Sequence, residues 1–325
     1  MKMRYAAPLL ALSLAAPLAH AESQKAPLNV VTTVGMIADV AGEVGGECVN
    51  VNPMMGPGVD PHLYQASASD VKTLRDADQI LYSGYSLEGQ LGKVLENFSR
   101  QKTTVAVSPA SIEPAELLTA QDVYGIDPHL WMDVSLWAQT VDTVVDTFLK
   151  ARPECADAIH ANAEAYTAQL DALHEWVGQG IASIPEEQRI LVTAHDAFNY
   201  FGRAYGIEVK GIQGISTETE TGIADIRRMA DVVIEREVPA VFIESTINPR
   251  TVQAVIDAAE KRGHTVEIGG QLYSDAMGEA GTADGTYIGM LYANTRAIVK
   301  ALGGEVAPLP EALGAWAKQW GVDEA

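Results

Sequence analysis

Residues 153–184 read PECADAIHANAEAYTAQLDALHEWVGQGIASI, and this stretch decides the architecture. No proline falls between Pro153 and Pro185, and glycine enters only at Gly178 and Gly180. The apolar positions Ile159, Ala163, Tyr166, Leu170, Leu173 and Val177 recur every three or four residues, the period of a helix with one buried face. Such a helix is roughly 45 Å long at about 1.5 Å per residue, more than one sheet needs to be covered. It lies near the midpoint of the 325 residues, so it reads as a rigid backbone joining two lobes. His160 and His174, 14 residues apart and nearly on one face, read as solvated helix histidines.

On either side, short β-branched runs alternate with helical ones. Before the long helix, strands are predicted at 28–34, 48–54, 79–83 and 103–107, with helices at 36–44, 69–77 and 134–149. Ser67, Ser69 and Asp70 supply N-cap candidates for the second helix. After it, strands are predicted at 189–194, 208–213, 240–244 and 265–270, with helices at 198–204, 223–237, 249–262 and 286–302. This rhythm predicts an α/β protein whose two lobes each hold a mostly parallel sheet flanked by helices. The expected partition is an N-terminal lobe at 22–152, the linking helix at 153–184 and a C-terminal lobe at 185–325. In the tail of the last, Trp316 and Trp320 dock on the surface.

Residues 1–21 read as a cleavable signal peptide. Lys2 and Arg4 precede an apolar core too short to span a bilayer, and Ala19-His20-Ala21 is a small-x-small cleavage site. The expected destination is the periplasm. Glu22, not a cysteine, follows the cut, which argues against a lipid anchor, and no later stretch is long and apolar enough to insert in a membrane. Loss of Lys2 and Arg4 takes the formal charge from −21 to −23. So acidic a chain disfavours nucleic acid and anionic lipid as partners. Cys48 and Cys155 reach an oxidising compartment, where a structural pairing is open to them but cannot be assigned from sequence.

The chemistry centres on a tripeptide that occurs twice, Asp60-Pro61-His62 and Asp127-Pro128-His129. Proline fixes φ just before each histidine and pushes the preceding aspartate towards an extended conformation. Each imidazole thus sits on a stiffened loop with a carboxylate two residues away. In open α/β sheets ligands bind beyond the carboxyl ends of strands, and the polar residues there are His62, His129, His195 and Asp275. Three of the six histidines of the mature chain fall at these ends. Three imidazoles and a carboxylate make a complete ligand set for a divalent transition metal.

Four stretches, GVDPH (58–62), DPHLWMD (127–133), VTAHDAF (192–198) and LYSDAMG (272–278), carry a resemblance to a known family. Over about residues 28–302 the chain resembles the zinc- and manganese-binding solute receptors of ABC importers, the cluster 9 periplasmic metal-binding proteins. It is most similar to the TroA type, whose ligand set is three histidines and one aspartate. The resemblance implies His62, His129, His195 and Asp275 as ligands of one zinc or manganese ion, the transported cargo. It also implies two lobes joined by one long helix, delivery to a transmembrane permease, and no catalysis. Asp60, Asp127 and Glu244 are candidates to orient the imidazoles.

Two departures bear on the metal. The segment 108–126 lacks the His-rich acidic loop that zinc receptors of the family often carry, and His195 stands where strict manganese receptors place glutamate. A third imidazole favours zinc, with manganese a close second. A monomer is expected. The competing readings are a secreted zinc-dependent hydrolase and a receptor for a metal chelate such as a siderophore or haem. The first would need an open coordination position and a general base, and there is no His-Glu-x-x-His. The second would need an aromatic or basic pocket.

Overall fold

The computed structural model describes residues 26–119 and 125–322. The predicted signal peptide lies outside this range, as does part of the histidine-free segment before the second Asp-Pro-His. The first half contains β1 (Leu28–Thr32), α1 (Gly35–Gly45), β2 (Val49–Pro53), α2 (Ala68–Asp76), β3 (Gln79–Tyr82), α3 (Leu91–Ser99), β4 (Thr104–Ala106), α4 (Val107–Ser111), α5 (Val134–Ala138) and α6 (Thr140–Ala151). Its four strands form one parallel sheet in the order β2-β1-β3-β4. The long helix α7 (Ala156–Ala182) follows. The second half contains β5 (Ile190–His195), α8 (Asn199–Tyr205), β6 (Glu208–Gln213), α9 (Ile223–Glu235), β7 (Ala240–Glu244), α10 (Arg250–Glu260), β8 (Glu267–Leu272), α11 (Tyr287–Ala301) and α12 (Gly314–Trp320).

Two lobes of parallel strands flanked by helices, joined by a long helix, agree with the predicted α/β architecture. The second lobe departs in detail, since its strands form two parallel pairs, β5–β6 and β7–β8, with β5 and β7 side by side. The buried face of α7 includes Ile159, Ala163, Tyr166, Leu170, Leu173 and Val177, the stripe read from the periodicity. One apolar core runs from the first sheet over α7 to α11 and α12, and a smaller one fills the space around α9 and α10.

Local chemistry explains the boundaries. Ser67 closes a capping box on α2, its hydroxyl accepting the Asp70 N–H while the Asp70 carboxylate accepts the Ser67 N–H. The helix predicted over 134–149 is two helices, broken at Gln139, where the buried Thr140 hydroxyl donates back to the Trp137 carbonyl at 2.6 Å. The long helix begins at Ala156 because Pro153–Cys155 form a short 3-10 turn. The last strand lies two residues later than predicted and runs through Gly269 and Gly270. A Cβ at Gly269 would stand 2.7 Å from the Phe242 ring and 2.8 Å from the Ala301 Cβ, so glycine here lets α11 close on the sheet. Helices α3 and α4 are additional to the predicted elements, though Leu91, Leu95 and Phe98 of α3 are buried at helical spacing. Cys48 and Cys155 are joined in a disulfide, which ties the turn after α1 to the start of α7.

Candidate metal centre

The two Asp-Pro-His tripeptides share one backbone device. The Asp60 carboxylate accepts the His62 N–H at 2.9 Å, and the Asp127 carboxylate accepts the His129 N–H at 3.0 Å. Each aspartate thereby closes a turn around a proline that has no N–H of its own. Beyond that the copies diverge. Asp127 also takes the His129 ring N–H, Nδ1 to Oδ1 at 2.8 Å, whereas the second oxygen of Asp60 accepts the Thr217 hydroxyl at 2.6 Å. Asp127 is itself braced from α8, where Asn199 donates to its carboxylate and the Tyr200 hydroxyl donates to its carbonyl.

His195 is the last residue of β5, and Glu244 is the last of β7 beside it. One Glu244 oxygen accepts the His195 backbone N–H at 2.8 Å and the other lies 2.5 Å from the ring Nδ1. Asp275 follows β8. Its loop is held by the Trp131 indole, which donates to the Ser274 carbonyl at 2.8 Å, and by the Asn294 side chain, which bonds both the N–H and the carbonyl of Tyr273.

These supports bring His62, His129, His195 and Asp275 together, all with side chains sealed from solvent and their ligand atoms within 4.8 Å of one another. The His62 and His129 Nε2 atoms are 3.3 Å apart. The Asp275 oxygens lie 3.3 Å from the Nε2 atoms of His129 and His195 and 3.6 Å from that of His62. Ligand bonds of about 2.0–2.1 Å in a tetrahedron give edges of about 3.3–3.4 Å, so one ion fits among these atoms. The contacts of both Asp275 oxygens with the imidazoles lack hydrogen-bond geometry, so the buried carboxylate has no donor aimed at it. A cation would satisfy it.

The protonation states follow from the neighbours. Burial pushes the His62 imidazole down to about 3, against the pull of the Asp275 carboxylate. Burial acts in the same direction on His129, but the Asp127 hydrogen bond and the Asp275 charge outweigh it and lift the group to about 9. His195 is likewise lifted well above the ordinary imidazole range, with Glu244 and Asp275 overcoming burial. Burial opposes ionisation of Asp275, yet the two imidazoles hold its carboxyl well below the usual range. The neighbouring carboxylates thus favour the proton on His129 and His195, and an entering cation competes with it. The Asp127 and Glu244 carboxylates turn each Nδ1–H away from the centre and leave Nε2 for the ion.

All four sequence-predicted ligands thus converge. Asp127 and Glu244 each bond the Nδ1 of an imidazole, while the hydrogen bonds of the Asp60 carboxylate run to the His62 backbone and to the opposite lobe. Asn294 and Asn199 were not singled out by the sequence reading. Asn199 opens α8 shortly after His195 and Asn294 lies within α11, and no local pattern marks either.

The profile of one family, the zinc-uptake complex component A, periplasmic, matches residues 30–301. The chain belongs to that family. Among curated relatives, the manganese-binding lipoprotein MntA of Bacillus subtilis is 48% identical over 275 residues, covering 85% of this chain and 90% of the relative. The zinc-binding protein TroA of Treponema pallidum is 45% identical over 305 residues, covering 92% of this chain and 98% of the relative. Among solved structures, that of the periplasmic zinc-binding protein TroA from Treponema pallidum superimposes with a TM-score of 0.83 at 46% identity, over 85% of this chain and 99% of the other. Family members are metal-binding substrate receptors of ABC transporters, which act outside the cytoplasmic membrane together with a permease. No helix among the described residues is long and apolar enough to cross a membrane.

Proposed function

We propose that this protein captures one divalent transition-metal ion on His62, His129, His195 and Asp275 and delivers it to the permease of an ABC importer. The observation that carries this reading is the set of four buried donor groups whose ligand atoms lie within 4.8 Å of one another, two of the three imidazoles turned inward by buried carboxylates. Zinc is the favoured ion and manganese the next. Three imidazoles suit a borderline-soft cation that stands above manganese in affinity order. The chain is a carrier and not a catalyst, because four protein ligands leave no coordination position for a reacting water. It acts as a monomer of two lobes, 22–152 and 185–325, joined by 153–184.

The test is metal analysis of the purified protein followed by competitive titration with zinc and manganese. One ion per chain is expected, with stoichiometric binding lost in His62→Ala and in Asp275→Ala. Retention of full binding in both variants would refute the ligand set.

A further inference from the structure

Two of the four ligands are connected across the cleft by a path of hydrogen bonds that the ligation itself does not require. On the second lobe, the register partner of His195 on the neighbouring strand is Gln213, the last residue of β6. The Gln213 carboxamide donates to the carbonyls of Thr217 at 3.0 Å and Thr219 at 2.7 Å, folding the loop after β6 back on the strand end. Ser216 braces the same loop by accepting the Glu218 N–H at 3.2 Å. The loop leaves its own lobe at Thr217. That residue is buried, and its hydroxyl donates to Asp60 Oδ2 at 2.6 Å, while Asp60 Oδ1 accepts the His62 N–H. The path therefore runs from the strand beside one ligand to the backbone of another. Its single step between lobes is the bond from Thr217 to Asp60.

The His62 loop is also supported from beneath at one point only a glycine can occupy. Gly89 has φ +45°, and a Cβ there would stand 2.5 Å from the His62 carbonyl oxygen. The Glu218 carboxylate lies 3.7 Å from the same position. The loop that carries His62 is thus seated on its own lobe and gripped from the other.

We propose that Gln213 and Thr217 are positioning residues that latch the two lobes together and slow release of the ion. This rests on the reading of the four residues as ligands. While the lobes are closed, Thr217 holds Asp60, and Asp60 holds the backbone of His62 at the distance the other ligands need. When the lobes part, that bond must break, and the His62 loop loses its second support as the ion leaves. Neither residue touches the ion, so the latch acts on its residence time and not on the ligand set.

The experiment follows zinc leaving the loaded protein into excess chelator by stopped flow. Thr217→Val keeps the shape and removes the donor, leaving an Asp60 oxygen without its partner. A hydrogen bond to a charged group is worth about tenfold or more, so release is expected to accelerate by roughly that factor while the rate of capture changes less. Thr217→Ser restores the hydroxyl and is expected to return release close to the wild-type rate. Because both residues lie on one path, Gln213→Ala combined with Thr217→Val is expected to release no faster than the faster single variant. The cobalt(II) absorption bands of the loaded variants are expected to match wild type, since the ligands are the same. The latch is overturned if Thr217→Val releases zinc at the wild-type rate. It is equally overturned if the serine variant is as fast as the valine one, or if the two accelerations multiply. A wild-type protein that takes up no zinc or manganese would refute the ligand assignment itself, a result the variants cannot mimic.

Discussion

Replacing Glu244 by glutamine keeps the size and shape of the side chain and removes its charge. The carboxylate accepts two N–H groups of one residue, the His195 backbone at 2.8 Å and the ring Nδ1 at 2.5 Å. An amide offers one acceptor oxygen for these two donors, and its NH2 faces the other donor. The imidazole escapes this conflict by moving its proton to Nε2, the atom that points at the ion, where the proton blocks ligation. Partners of metal-bound histidines are worth tenfold to a hundredfold in affinity, or about 1.4–2.8 kcal/mol at 1.4 kcal/mol per decade. The expected result of a zinc competition titration at neutral pH is a loss of that size with one ion still bound per chain. A second signature separates this from general damage. Glu244 and Asp275 hold the His195 proton well above the ordinary imidazole range, so the ion displaces it on binding. With Glu244 neutral the proton is held less tightly, and the rise of affinity with pH becomes shallower. An affinity within twofold of wild type, with the same pH slope, would refute the assignment of Glu244 as the group that aims His195.

Three further outcomes are expected. His129, lifted to about 9, stabilises the ion-free fold fully below the unfolded imidazole value and loses this as pH rises through 9. His62, lowered to about 3, acts oppositely and costs stability as pH falls below the unfolded imidazole value towards 3, so chelator-treated protein should denature more easily at both ends. Reducing the disulfide, which closes a separation of 107 residues, should lower stability by about 4–5 kcal/mol in denaturant titration while zinc affinity stays nearly constant, because the bond lies away from the site. Gly269→Ala places a Cβ 2.7 Å from Phe242, and a cost of about 1–3 kcal/mol is expected from thermal unfolding, with one zinc still bound.

Much of this was readable from residues alone, for identifiable reasons. The stripe on α7 survives because a helix packed on one face writes its burial at a fixed period, and all six named positions are buried. Of the four site residues, His195 closes β5 and Asp275 follows β8, whereas His62 and His129 were legible from their repeated Asp-Pro-His and not from a strand end. Strand ends were visible from β-branched runs, and Glu208–Gln213 and Ala240–Glu244 match their predicted limits. What could not be read depends on lateral neighbours. Gln213 is ordinary until its register places it beside His195, and Asn294 until α11 packs against the loop of Tyr273. The break at Gln139 turns on one buried hydroxyl, which the apolar spacing of 134–149 does not record. Pairing of Cys48 with Cys155 waited on the packing that brings the turn after α1 to the start of α7.

The duplicated Asp-Pro-His has one consequence for how such sites are altered by mutation. The two aspartates look equivalent in any alignment of the repeats, and both reach the second lobe, Asp127 through Asn199 of α8 and Asp60 through the Thr217 hydroxyl. Only Asp127 also holds the ring N–H of its own histidine, whereas Asp60 holds the His62 backbone and no imidazole. Exchange of aspartate for asparagine would therefore be a fault in chemistry at one copy and a fault in timing at the other. Asp127→Asn should weaken the grip on the ion, whereas Asp60→Asn should leave a grip that lets go too soon.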